Sequence, residues 1–513
     1  MRIEKTLKNS MVTLILSLLK LVVTFFIRRA FLLELGEEYL GLNALLVNVI
    51  SLLSLVDLGV GSAVGYSLYT PLADGKKEEI SSKINFFRVC YRKVFIVMIV
   101  AGILYYPFFR ELVKNIKIID FKIINLAYIL FLLDTSTSYL LSYKKILLEA
   151  DQKNYKINIV NTSSFMIASL LQYFSLIVYR NFILYLIIKI VFNTLSNYIC
   201  SIIVDKNYPY LIKYKELKLN VKEKTKIMSN IRALLLHKVG DVVINSTDNI
   251  IIAKYINISM VGIFSNYMMV VLTLQGIITQ TLSSITGSVG NLLTIDNEKK
   301  IFEIFKTLNM LGYLIFGLIT TVLYINIEFF IDIWLGKDYI IGGFFLIILV
   351  VNMYVTGMRC IPGTVKSAAG LYKEDKYSPL IQSGLNLFFS IILVKKIGIT
   401  GVLLGTLISS FVPTIYRPYI LYKVLFKEKY FGYLKDYIKY LFLTSLSIVI
   451  AKYLLNFLSH EKNILNLIRN VGISSLVFII ISLIGIFKTK EFDYINKNIL
   501  KKIGDKLWKK KFL

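Results

Sequence analysis

Six polar residues, Asn9, Thr13, Ser17, Lys20, Thr24 and Arg28, recur at intervals of three or four through the first apolar stretch of the chain. On a helix over 9–29 they form one stripe down a single face. A lysine amid a bilayer-spanning helix costs several kcal/mol unless it meets water or a partner, so Lys20 points to a polar interior. A second stripe, Lys238, Asp241, Asn245 and Asp248, matches the first when the sequence is shifted by about 221 residues. In that register Ser17 falls on Lys238, Lys20 on Asp241 and Thr24 on Asn245. We read the two stripes as one cavity lined from two sides, with Lys20, Arg28, Lys238, Asp241 and Asp248 as the substrate-binding candidates.

Each candidate has a plainer reading. Lys20 could pair with Asp241 as a structural ion pair, and Lys238 could pair with Asp241 one turn away. Arg28 and Arg29 lie near the end of their helix, where snorkelling to headgroups competes with ligand binding. Asp57, after a Ser51 and Ser54 face, and Asp134 lie deep enough to be ion-coupling candidates. Arg359 and Arg417 fall at helix ends and read as anchors. Catalytic signatures are missing: the histidines His237 and His460 form no His-Glu-x-x-His site, and there is no Gly-rich phosphate loop with a following Lys. The expectation is a protein that is not an enzyme and uses no metal and no cofactor.

The elements that must position these residues follow from composition. The chain has 513 residues, 56% of them hydrophobic, and a mean hydropathy of +0.66. Its apolar runs recur along the whole length, so the expected fold class is all-α, a polytopic membrane protein. At about 20 residues per crossing, spans are expected over 10–33, 40–64, 87–108, 122–142, 157–179 and 182–203. Six more are expected over 231–253, 261–291, 306–330, 339–358, 379–395 and 399–422. Two more, over 438–457 and 467–487, bring the count to about fourteen. The first run is too long for a cleavable signal peptide and lacks a small-residue cleavage site.

The net charge of +28 sits in the breaks between runs, so it reports topology and not nucleic-acid binding. Alternate breaks hold roughly 40 Lys and Arg on the side of the N-terminus and roughly 10 on the other, which predicts cytoplasmic termini. Outer loops are too short for a separate domain, so function is expected within the membrane. Cys90, Cys200 and Cys360 have no metal spacing and read as reduced thiols. The expected domains are a six-helix lobe with a basic connector over 1–220, a second six-helix lobe over 221–430, two further helices over 431–487 and a basic tail over 488–513. An even number of helices between the copies makes them parallel repeats. Tail residues Phe492, Ile495, Ile499, Ile503 and Leu507 are spaced for an amphipathic surface helix on anionic membrane lipid.

Three stretches carry a family resemblance: Glu38-Tyr39-Leu40-Gly41-Leu42-Asn43, Leu52 to Ala63 with Asp57-Leu58-Gly59-Val60-Gly61 at its centre, and Tyr66-Ser67-Leu68-Tyr69 with Pro71-Leu72-Ala73. Together with Thr247-Asp248-Asn249-Ile250, Val261-Gly262-Ile263-Phe264-Ser265 and Arg417-Pro418-Tyr419, they make the chain resemble Wzx-like bacterial polysaccharide flippases. Those belong to the multidrug/oligosaccharidyl-lipid/polysaccharide exporter superfamily. The resemblance implies two six-helix lobes around a cleft and two appended helices in a bacterial cytoplasmic membrane. It also implies movement of undecaprenyl-pyrophosphate-linked oligosaccharide repeat units to the outer leaflet for capsule, O-antigen or exopolysaccharide. Partners would then be the lipid-linked substrate, membrane lipids, and glycosyltransferases and a polymerase of the same pathway. Lys20 and Asp241 come from the stripes and not from the family. The alternatives are a multidrug or small-molecule antiporter on the same fold, a cell-wall precursor flippase of the lipid II type, and a membrane-embedded glycan polymerase or ligase. The antiporter should favour acidic cavity residues, and the polymerase a long outer loop.

Overall fold

The structure, a computed structural model, describes the backbone of residues 2–57, 59–295, 298–371, 374–458 and 461–496. Side chains are described throughout these except at 2–14, 62, 230, 232–238, 241, 245 and 280–295. The chain is all-α, with no strand among the described residues. In order the helices are α1 (Arg2–Leu35), α2 (Glu37–Leu53), α3 (Val60–Asp74), α4 (Lys77–Val113), α5 (Phe121–Ser142), α6 (Lys145–Ala150) and α7 (Asn154–Phe174). Then come α8 (Phe182–Asn207), α9 (Tyr210–Lys213), α10 (Val221–Tyr255), α11 (Ile258–Ile295), α12 (Glu298–Trp334), α13 (Gly343–Met358) and α14 (Cys360–Ala368). The last are α15 (Ser378–Ile397), α16 (Ile399–Ile420), α17 (Phe431–Leu455), α18 (Ile464–Ile486) and α19 (Lys490–Ile495).

Among the described residues, 11 helices are long and apolar enough to cross a membrane. Helices α1, α4 and α10, of 34, 37 and 35 residues, also exceed the length of a crossing. Every expected span therefore has a helix, and the protein is a multi-pass membrane protein. The span expected over 40–64 differs in form. There α2 ends at Leu53, Ser54–Asp57 tightens into a 3₁₀ turn, and α3 starts after Gly59. Gly59 has φ +75°, a left-handed conformation open to glycine at little cost, and it re-aims the chain inside a continuous apolar run. Beyond residue 496 the expected amphipathic tail, with Ile499, Ile503 and Leu507, lies outside the described residues.

The chain folds into two compact units, Met1–Asn266 and Tyr267–Leu513. In the first, Val64, Leu68, Ile84, Phe87, Leu147 and Tyr208 form the centre of a buried cluster that takes in the start of α10 at Ile227 and Ile231. Lys83 is buried beside it. Its ammonium donates to the Ser67 carbonyl at 3.0 Å and to Glu79, and the Glu223 carboxylate stands 3.8 Å away. A buried charge held this way ties α3, α4 and α10 together. Helices α2 and α11 cross with their backbones in contact. A Cβ on Gly262 would lie 2.5 Å from the Glu37 carbonyl and 3.1 Å from the Gly41 amide, and one on Gly41 would lie 3.1 Å from the Gly262 amide.

The second unit has its own core around Tyr313, Tyr354, Tyr440 and Phe478. The Tyr313 and Tyr440 rings stack at 4.3 Å, and the Tyr313 and Ser482 hydroxyls share a hydrogen bond of 2.6 Å. Helices α15 and α16 form a tight hairpin in which a Cβ on Gly405 would lie 2.5 Å from the Ser390 amide nitrogen. Arg417, expected as an anchor, instead donates to the fully buried carboxylate of Asp375 at 3.2 Å, which also accepts from Lys366.

Candidate functional site

Lys20 is half-buried on α1, its ammonium 6.0 Å from the centre of the Phe165 ring on α7. It opens on a cavity of about 460 Å³ within the first unit, inside the ~300–1,000 Å³ range of small-molecule sites. Two more lysines line the same space, Lys145 from α6 and Lys189 from α8, with Asn161 and Gln172 from α7 and Asn193 from α8. A second cavity of about 110 Å³ shares the Phe165, Gln172 and Tyr185 walls and is lined by Thr24 and Arg28. Of the described stripe residues, Lys20, Thr24 and Arg28 face these two cavities, which share three wall residues, while Ser17 lines neither.

The walls are set by hydrogen bonds between α7 and α8. Ser196 donates to the Asn161 amide oxygen at 2.6 Å, and Gln172 donates to the Tyr185 carbonyl at 3.1 Å. Asn193 donates to the buried Asp134 carboxylate at 2.7 Å. The charge of Asp134 also reaches Lys189, whose ammonium sits 4.4 Å from the centre of the Phe131 ring. Asp134 thus orients a lysine and a carboxamide from behind the wall, and it is not itself among the lining residues. Lys145 donates to Asn197. At α6, outside the spanning segments, burial pushes the Lys145 ammonium down from its ordinary value against the charges of Cys200 and Glu149. Burial likewise pushes Glu149 up, opposed by Lys145.

Arg28 is turned inward. Its Nε donates to Asn266 at 2.8 Å and its guanidinium also reaches the Ser265 hydroxyl, both on α11. Fixed donors and acceptors replace headgroup water for this side chain, so the snorkelling alternative does not describe it. Lys238 and Asp241 lie outside the described side chains. Asp248 is half-buried on α10 and lines neither cavity. Asp57 sits apart, hydrogen-bonded to Tyr91 and close to Tyr139.

Sequence reasoning missed Lys145, Lys189, Asn161, Gln172 and Asn193. The signal was present: Tyr185, Lys189, Asn193 and Ser196 on α8, and Asn161, Phe165, Ala168 and Gln172 on α7, repeat the spacing of three and four that marked α1. No group of three or more His, Cys, Asp or Glu among the described residues could hold a metal ion. The site offers three cations, several carboxamides and hydroxyls, and aromatic faces. Such a site can neutralise an anion and hydrogen-bond a polyhydroxylated group.

Comparison with protein-family models finds no match, and neither does comparison with curated protein sequences. Solved structures do match. A structure described as lipid II flippase MurJ in an inward closed conformation aligns with TM-score 0.69 at 18% identity, covering 92% of this chain and 98% of that one. An inward-facing multidrug resistance MATE family transporter of the MOP superfamily aligns with TM-score 0.60 at 13% identity, over 79% of this chain and 96% of the other. The Vibrio cholerae MATE transporter VcmN aligns with TM-score 0.57 at 15% identity, over 83% and 98%. The chain has the fold these transporters share.

Proposed function

We propose that this protein is a flippase that moves undecaprenyl-pyrophosphate-linked oligosaccharide from the cytoplasmic to the outer leaflet for surface polysaccharide assembly. The observation that carries the reading is the lining of the cavity in the first unit, where Lys20, Lys145 and Lys189 converge and no carboxylate is among the lining residues. A pyrophosphate in a low-dielectric cavity gains from each such charge, and sugar hydroxyls match the Asn161, Asn193, Gln172 and Ser196 side chains. The polyprenyl chain can stay in lipid while the polar head passes. A cationic drug would meet repulsion in the same space, which argues against the multidrug antiporter. The alignment with the lipid II flippase favours one second reading, transport of a cell-wall precursor, because such a substrate would present a related lipid-linked polar head.

The test measures surface polysaccharide and accumulated lipid-linked glycan in cells, with protein level checked in the membrane. Lys20→Ala should abolish export and accumulate the lipid-linked intermediate, and Lys20→Arg should retain part of it because charge survives with altered shape. Normal export by Lys20→Ala, alone and combined with Lys189→Ala, would overturn the anion-binding reading. Rescue of growth in cells depleted of their lipid II flippase, with no effect on polysaccharide, would favour the second reading instead.

A further inference from the structure

Away from the cavity, the connector between α8 and α10 lies along the polar half of α4. The Asn85 carboxamide donates to the carbonyls of Tyr214 at 2.9 Å and Leu217 at 3.0 Å, and Arg88 donates to the Lys215 carbonyl at 3.3 Å. These bonds hold open a groove of about 770 Å³ between the connector, α4 and the start of α10. Five cations line it, Arg88, Lys93, Lys215, Lys218 and Lys224, against one acid, Glu216. Between them Val89, Leu217 and Met228 are exposed. The Arg88 Nε is buried with no hydrogen-bond partner among the described residues. A buried guanidinium N–H left without an acceptor is costly, and an anion entering the groove would supply one.

We propose that this groove binds the phosphate of an anionic phospholipid, with the acyl chains against Val89, Leu217 and Met228. Position favours a lipid over a soluble phosphate. Within the span expected over 87–108, the uninterrupted apolar run of α4 begins only at Val94, one residue past Lys93, so Arg88 and Lys93 place the groove at the end of that crossing. Clustered cations at that level attract acidic headgroups, and apolar side chains among them would stay costly to expose if the ligand were a hydrated ion. The site shares no residue with the cavity around Lys20 and does not depend on the substrate assigned to it.

The test uses the full-length protein in nanodiscs of phosphatidylcholine with or without phosphatidylglycerol, reading retained lipid by native mass spectrometry. Cys90 alkylation, followed peptide by peptide, reports from inside the groove. Wild type should retain phosphatidylglycerol, and that lipid should slow alkylation of Cys90. Arg88→Gln, Lys215→Gln and Lys224→Gln together should weaken retention about a hundredfold. The same charge removed at the exposed Lys376, Lys396 and Lys429 should not. Equal retention by the groove variant and wild type, or Cys90 alkylation indifferent to the lipid, would overturn the site. Displacement of phosphatidylglycerol by inorganic phosphate at matched concentration would overturn the lipid and assign the groove to a soluble anion.

Discussion

A buried ionisable group is legible in sequence only when its neighbours in the chain reveal the face it lies on. Lys20 and Arg28 met that condition, because every third or fourth residue of an otherwise apolar run was polar. Lys145 did not, since α6 is six residues long and shows no period of its own. Its surroundings come from elsewhere in the fold: Asn197 and Cys200 on α8, with Glu149 one turn on. Burial raises the Glu149 carboxyl above its ordinary value, opposed by the Lys145 ammonium, and the Tyr91 hydroxyl also faces it. A carboxyl raised on folding favours the fold below its unfolded value, and that contribution is lost as pH rises through the folded one. Glu149→Gln removes the titration. Its thermal midpoint in detergent should match wild type at pH below the ordinary glutamate range and exceed it progressively toward neutral pH. A midpoint difference that is the same at acid and neutral pH would contradict this account.

At the scale of the element, spans were readable because a run of about 20 apolar residues has few uses other than crossing a bilayer. The limits of that reading are backbone events within a run. The turn at Ser54–Asp57 left no trace in hydropathy, and Gly59 was visible only as part of a resemblance. Glycines divide by what surrounds them. Gly405 on α16 faces the Ser390 backbone, which cannot rotate out of the way, whereas a Cβ on Gly384 of α15 would meet nothing within 4 Å. Gly405→Ala should therefore destabilise the hairpin by roughly 1–3 kcal/mol as overpacking. Gly384→Ala should be neutral or stabilise by up to about 1 kcal/mol through helix propensity. Denaturation in detergent micelles compares the two, and equal effects would mean that the close approach of α15 and α16 is not what glycine serves there.

For the whole molecule, the fold class and the place of a helix under each expected span followed from hydropathy, while the grouping of polar walls from α1, α6, α7 and α8 into one cavity required tertiary packing. The charge asymmetry carries its own prediction. Reporter fusions after Leu35 and after Lys462 should read outside, and fusions at either terminus should read cytoplasmic; a cytoplasmic signal after Leu35 or Lys462 would break that topology. The crossing of α2 and α11 constrains two positions at once. Gly41 and Gly262 are the very positions that the shift of about 221 residues equates, and they lie against each other. The approach leaves no room for a Cβ on either residue, so a substitution at one position cannot be relieved by shrinking the other, and both must stay glycine for the two backbones to touch.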